Sequence, residues 1–251
     1  MKKLFSFLFA VMVIASAVVA APKEQHIYVF AATEAANQPQ DSQQRGWAQV
    51  LPTYFGELVK VHNLSQEDKS TQLMISESIW ELSKSQITKG AFVVLQYADY
   101  DLKQDNQYAH TSIEQFQSNL EKFVKDVKKK KGKPIICTPI ARLHYSLETN
   151  QLVERHGAYA EAARRVAKAN KIPLIDLNNR TLIWLSALSK EEAEQFFIPQ
   201  DTDIEGKEFR LNEQGALKVA EFFRDEVEAQ KIKKLVPYII HNPSETKYAD
   251  K

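Results

Sequence analysis

With one cysteine in 251 residues, this chain cannot close an intramolecular disulfide, so its fold has to rest on buried apolar surface and hydrogen bonds. That cysteine, Cys137, lies in the apolar stretch Pro134-Ile135-Ile136-Cys137-Thr138-Pro139 and reads as a buried strand residue rather than a reactive thiol. An excess of charge of either sign is also missing. Basic and acidic residues nearly cancel at a net +1, without the one-sided basic surplus that nucleic-acid binding requires. There is no internal repeat, low-complexity tract or Gly/Ser linker, which leaves no place to cut the chain into two domains. Histidine is absent between His156 and His241, and this gap bears directly on the chemistry below.

What is present begins with a leader pattern. Lys2 and Lys3 precede an apolar run from Leu4 to Val19, and the small residues Ala20 and Ala21 follow. This reads as a signal peptide over residues 1–20, with cleavage after Ala20. The run is short for a bilayer span, and no cysteine follows it to take a lipid. The expected location is therefore the periplasm or the medium, with no membrane attachment after cleavage. Residues 21–240 form the expected folded domain and residues 241–251 a polar tail.

Five short runs read as strands: Ile27–Ala31, Lys60–Asn63, Ala91–Tyr97, Pro134–Thr138 and Ile172–Ile175. Several are near-continuous apolar segments, as expected of parallel strands covered on both faces. Helical periodicity falls between them, over Ser112–Lys128, Tyr159–Ala169 and, as two short pieces, Thr181–Phe197. A further helix runs from the N-cap residue Asn212 to about Gln230. Lys128–Lys131 reads as a solvated helix end that complements the dipole, with Gly132 as the cap. Strands alternating with helices give a doubly wound, flavodoxin-like, five-stranded parallel sheet with helices on both faces. Ligands of such sheets bind beyond the carboxyl ends of the strands.

The residues at those ends carry a resemblance. Gly46-Trp47-Ala48-Gln49, Gln96-Tyr97, Thr138-Pro139 with Arg142, Pro173-Leu174-Ile175-Asp176-Leu177 and Asn212-Glu213-Gln214-Gly215-Ala216 are, in this order, similar to segments of the rhamnogalacturonan acetylesterases of the SGNH (GDSL-like) hydrolase superfamily. The match runs from about Ile27 to Ile240. It implies the SGNH fold and an ester hydrolase that needs no metal or other cofactor. In that family a serine attacks, a histidine oriented by an aspartate takes its proton, and a serine amide, a glycine amide and an asparagine hold the oxyanion.

The positions that match this machinery are substituted. Thr33 stands at the serine, where its extra methyl stiffens χ1 and crowds attack. Glu67 and Asp68 fall at the oxyanion glycines, beside Lys69, and place acidic side chains where negative charge would develop. Ala98-Asp99-Tyr100-Asp101 replaces Gly-His-Asn-Asp, so Tyr100 stands at the asparagine amide. Arg210 stands at the histidine and stays protonated at any useful pH. Lys207 stands at the aspartate. No shift of register over Asp201 or Asp203 restores a base, because the histidine gap spans the whole region.

The expectation is thus a non-hydrolysing SGNH scaffold kept for binding an acidic or acetylated pectic glycan, or a protein partner. Lys69, Lys207, Arg142 and Arg210 would either offer cations at its mouth or pair with Asp68, Asp99 or Asp101 and fill the old site. The alternative is an active carbohydrate O-acetylesterase in which Thr33 works with a relocated base, with His144, His156, Glu34, Asp99 and Asp101 as the candidates. No pair among these has a recognised metal-ligand spacing.

Overall fold

The computed structural model describes residues 23–146, 148–149, 151–199 and 209–243. The leader, Lys207, Asp201, Asp203 and the end of the tail lie outside the described residues.

Five strands form one parallel sheet in the order β2-β1-β3-β4-β5: β1 (Gln25–Ala31), β2 (Val59–Asn63), β3 (Phe92–Gln96), β4 (Lys133–Cys137) and β5 (Leu174–Ile175). All five residues of β3 are buried, because this strand lies mid-sheet with both faces covered. The period of two then sorts β1 between two cores. Ile27, Val29 and Ala31 face a cluster with Trp47, Leu51, Val219 and Phe223. Tyr28 and Phe30 face the other, with Trp80, Phe116, Leu120 and Phe123.

The helices are α1 (Trp47–Val50), α2 (Thr71–Ser76), α3 (Ile79–Ser83), α4 (Ile113–Lys129), α5 (Gly157–Asn170), α6 (Leu177–Ser186), α7 (Lys190–Glu194) and α8 (Glu213–Ala229). Asn212 caps α8 by accepting a bond from the Gly215 N–H at 3.0 Å. At the end of α4 it is Lys131 that takes the left-handed conformation, at φ 60°, and not the glycine expected there. Gly132 instead donates its N–H to Val127 O at 3.0 Å, in a spot where a Cβ would come within 2.9 Å of Val127 Cγ1. Two short elements that the periodicity does not display, β6 (Phe197–Pro199) and β7 (Phe209–Leu211), form an antiparallel pair ahead of α8. Arg210 therefore lies in a strand and not in a loop.

Two interactions join the sheet to the cleft above it. Gln96, the last residue of β3, accepts a bond from Trp47 Nε1 at 2.8 Å and donates to Thr138 O at 3.0 Å. Gly46 brings the start of α1 against the chain that follows β1. A Cβ there would lie 2.1 Å from Ala36 O, which no side chain can occupy. Gly46→Ala should therefore lower stability by about 1–3 kcal/mol through backbone displacement. Gly56→Ala, whose Cβ would meet nothing nearer than 3.7 Å, should stay close to the parent. Thermal unfolding of the two variants side by side checks the difference; equal losses would contradict it.

Candidate functional site

The site is assembled from the carboxyl ends of β1, β2, β3 and β4. Thr33 opens a 3₁₀ turn (Thr33–Ala35) just past β1 and is buried at 6% exposure. Its hydroxyl is engaged by Asp68. The Asp68 N–H donates to Thr33 Oγ1 at 3.0 Å, and the Thr33 hydroxyl lies 3.4 Å from Asp68 Oδ1. The Tyr100 hydroxyl donates to the same carboxylate oxygen. Asp68 sits at φ 56°, a conformation glycine adopts without cost and other residues do not. The backbone amide thus remains beside the nucleophile position, but an acceptor now lies next to it. A carboxylate there opposes the charge an oxyanion hole must stabilise.

A second group of side chains lies behind Thr33 and is more deeply enclosed. Asp99 is buried at its centre. Arg142 Nε donates to Asp99 Oδ1 at 2.9 Å, and His156 Nε2 lies 2.7 Å from the same oxygen. Burial alone would raise the Asp99 pKa; the charges of Arg142 and His156 overcome it and hold the carboxyl well below its ordinary value. Burial likewise works against the charge on His156, but the Asp99 carboxylate outweighs it and keeps the imidazole protonated up to about 9. On its far side His156 Nδ1 is 3.6 Å from Glu154 Oε1, too long for a hydrogen bond but close enough for ionic attraction. Glu154 also accepts from Asn178 Nδ2 at 2.9 Å and from the backbone N–H groups of His156 and Gly157. Against the opposing effect of burial, the His156 side chain first and then these bonds bring its pKa down to about 2.

Arg210 completes the group. Its Nη1 lies 3.1 Å from Glu34 Oε1, and the two side chains are 16% and 12% exposed. Glu34 also shares a hydrogen bond with Asp99. Burial, and then the Asp99 charge, push Glu34 up to about 8, beyond what Arg210 and Arg142 offset. Glu34 therefore holds its proton more tightly than an ordinary carboxyl beside Asp99, while Arg210 donates to Glu34.

Several residues singled out in the sequence fall together here, namely Thr33, Asp68 and Tyr100 in one group and Glu34, Asp99, Arg142, His156 and Arg210 in the other. Others do not. Lys69 pairs with Glu77 at 2.6 Å instead of presenting a cation to the cleft. Glu67 turns to Gln38, 2.5 Å away. Asp101 is fully buried and not a cleft acid; it accepts from the Thr71 N–H at 3.0 Å and from the Thr71 and Thr111 hydroxyls. His144 lies 3.4 Å from Arg155 Nη1, which together with burial lowers its pKa. Glu154 was not foreseen, and no local pattern around it marks it. Of the two arrangements expected, exposed cations around a hollow or cations paired with acids, Arg142 and Arg210 take the second, because burying a guanidinium requires a partner.

As a proton acceptor His156 is poorly placed. It is already protonated at neutral pH, and the nitrogen nearest the cleft is committed to Asp99. Arg210 cannot accept a proton at all.

No protein-family model matches the chain. Among curated proteins, it is 25% identical over 197 residues to the rhamnogalacturonan acetylesterase RhgT of Bacillus subtilis (strain 168), a match covering 76% of this chain and 83% of that protein. Among solved structures, protein YXIM of Bacillus subtilis superposes with a TM-score of 0.70 at 23% identity; the match covers 85% of this chain but only 58% of the other. The acetylxylan esterase Axe2 of Geobacillus stearothermophilus gives 0.61 at 12% identity, over 82% of this chain and 95% of that one.

The enclosed group sets a pH dependence. An acid whose folded pKa is raised contributes stability that is complete below its unfolded value and is lost as pH climbs to the folded one. For Glu34 that window runs from 4.5 to about 8. Glu34→Gln cannot ionise, so its melting temperature should improve relative to the parent as pH rises from 5 to 9. Thermal unfolding across that range tests this, and parallel curves would refute the shift.

Proposed function

As a relative of the rhamnogalacturonan acetylesterases with the SGNH hydrolase fold, this chain, we propose, is a carbohydrate-binding protein that no longer turns over esters. The observation that carries the proposal is the environment of Thr33. A nucleophilic hydroxyl must pass its proton to a base as it attacks. Here the acceptor facing the hydroxyl is the Asp68 carboxyl at 3.4 Å, whose same oxygen already holds the Tyr100 hydroxyl, while the position of the family's base holds Arg210, itself directed at Glu34 3.1 Å away.

The losses reinforce one another. Removing one oxyanion donor costs roughly 10²–10³ in kcat, and disabling a nucleophile or base costs about 10⁶. Residual catalysis in triad mutants depends on an intact oxyanion hole. In this cleft the nucleophile, the base and a donor of the hole all differ from the family pattern at once. The leader pattern of residues 1–20 supports a site of action outside the cytoplasm, which belongs to the same proposal.

Hydrolysis of a small aryl acetate and of acetylated pectin supplies the test. The purified protein should release acetate no faster than its Thr33→Ala variant. Turnover that is present in the parent and vanishes in the variant would establish the opposite, an esterase working through Thr33 with a relocated base.

A further inference from the structure

Away from Thr33 lies a concavity whose lining is of a different chemical kind. It is an open groove of about 580 Å³ between α2 and the segment 107–115, which leads into α4. Gln72, Leu73, Ser76 and Glu77 form one wall, and Gln107, Tyr108, His110 and Gln115 are among the residues of the other. We infer that this groove is a subsite for a neutral glycan chain, with the Tyr108 ring as its stacking platform. The inference rests on the carbohydrate reading above and adds to it a place and a sugar class.

The first ground is Tyr108 itself. Its side chain is 74% exposed, so it contributes little to the core and leaves an aromatic face in water. The ring is nevertheless not on a loose tip. Asn106 Oδ1 accepts from the N–H groups of Tyr108 and Ala109 at 3.1 and 3.2 Å, and Asn106 O accepts from the His110 N–H at 2.8 Å. Just beyond, the Thr111 N–H donates to Asp101 O at 2.9 Å, and the Tyr159 hydroxyl donates to Thr111 O at 2.5 Å. A platform whose backbone is already fixed loses little entropy when a ligand arrives.

The second ground is the polar equipment around the ring. The side-chain amides of Gln72 and Gln107 make no hydrogen bond with any other described residue. Each offers a planar donor and acceptor pair, which suits vicinal hydroxyls. A pyranose presents C–H groups on one face and hydroxyls around its rim. An aromatic face beside unengaged amides matches both features, as binding sites generally combine an apolar surface with a few placed polar groups.

The third ground fixes the charge of the ligand. No lysine or arginine lines the groove, and its carboxylate, Glu77, is neutralised by Lys69 at 2.6 Å. A galacturonate-rich chain would find no cation to pair with, and neutral sugars fit better.

Both walls hang on one buried carboxylate. Asp101 accepts from the N–H and hydroxyl of Thr71, at the head of α2, and from the Thr111 hydroxyl at 2.7 Å on the facing wall. The groove is therefore preformed, and its α2 wall continues through Lys69 to Asp68, which touches Thr33.

Calorimetric titration of the full chain with galacto-oligosaccharide, xylo-oligosaccharide and oligogalacturonate, each with the parent, Tyr108→Ala and Tyr108→Trp, decides the matter. The parent should bind at least one neutral oligomer more tightly than oligogalacturonate. Tyr108→Ala should lose about tenfold in affinity, and Tyr108→Trp should retain it and show a fluorescence change on titration. Because Tyr108 is exposed, its variants should melt with the parent, so a loss of binding reads as a loss of contact. Binding by the parent that is unchanged in Tyr108→Ala would overturn the groove assignment while leaving the carbohydrate reading standing. An absence of binding to all three oligomers would overturn both. Preference for oligogalacturonate would overturn the neutral class.

Discussion

Asp99 is the charge around which the cleft is organised. It lies at the end of the central strand β3, and three groups from distant parts of the chain converge on it: Arg142 after β4, His156 at the head of α5, and Glu34 in the turn after β1. An ionised carboxyl in such a position would be prohibitively costly without partners, and so would the cations beside it. Each is tolerable because the others are there. Glu154 extends the set on the far side of His156, and Arg210 extends it through Glu34 toward β7. The ends of three sheet crossovers are thereby held in one arrangement. Arg142 and Arg210 each commit a guanidinium N–H to a carboxyl group of this set.

The Thr33 side of the cleft has a different character. There the backbone takes a geometry that suits glycine at positions that carry other residues. Asp68 adopts φ 56° and Ala98 φ 152°, both sparsely populated by residues with a Cβ. Such conformations persist only where the surrounding structure over-determines them. At Asp68 the determinants are visible, since its N–H bonds Thr33 and its carboxylate receives Tyr100. The polar groups of Thr33, Asp68 and Tyr100 there satisfy one another.

How much of this the sequence reveals follows from the range of the interactions involved. The sheet was legible because its strands are short apolar runs broken by helical periodicity, and helix α8 because Asn212 and the Leu217–Val227 stripe announce it locally. The residues at the strand ends were legible as substitutions of a known pattern. Their partners were not. Glu34 and Arg210 are 176 positions apart, and His156 and Asp99 are 57 apart. Pairing of Arg210 with an acid is foreseeable from its buried position, but nothing in the local sequence selects Glu34 over Asp99 or Asp101. Asp101 misled for the opposite reason. It sits two positions from Asp99, yet the strand-end loop turns it inward onto Thr71 and Thr111.

That turn separates the surroundings of Thr33 from the groove beside α2 by chemistry. Asp99 gathers Arg142, His156 and Glu34 into an enclosed group whose charged ends face one another. Asp101, two residues on, spends its oxygens on a helix start and a loop, and so shapes a groove without charging it. Amides and an aromatic ring remain free along that groove because its rigidity is supplied from below by a buried carboxylate. Recognition needs a held shape with unengaged groups on its surface. On that criterion the polar groove beside α2 is better equipped to receive a sugar than the cleft at Thr33, whose hydroxyl and arginines already have partners.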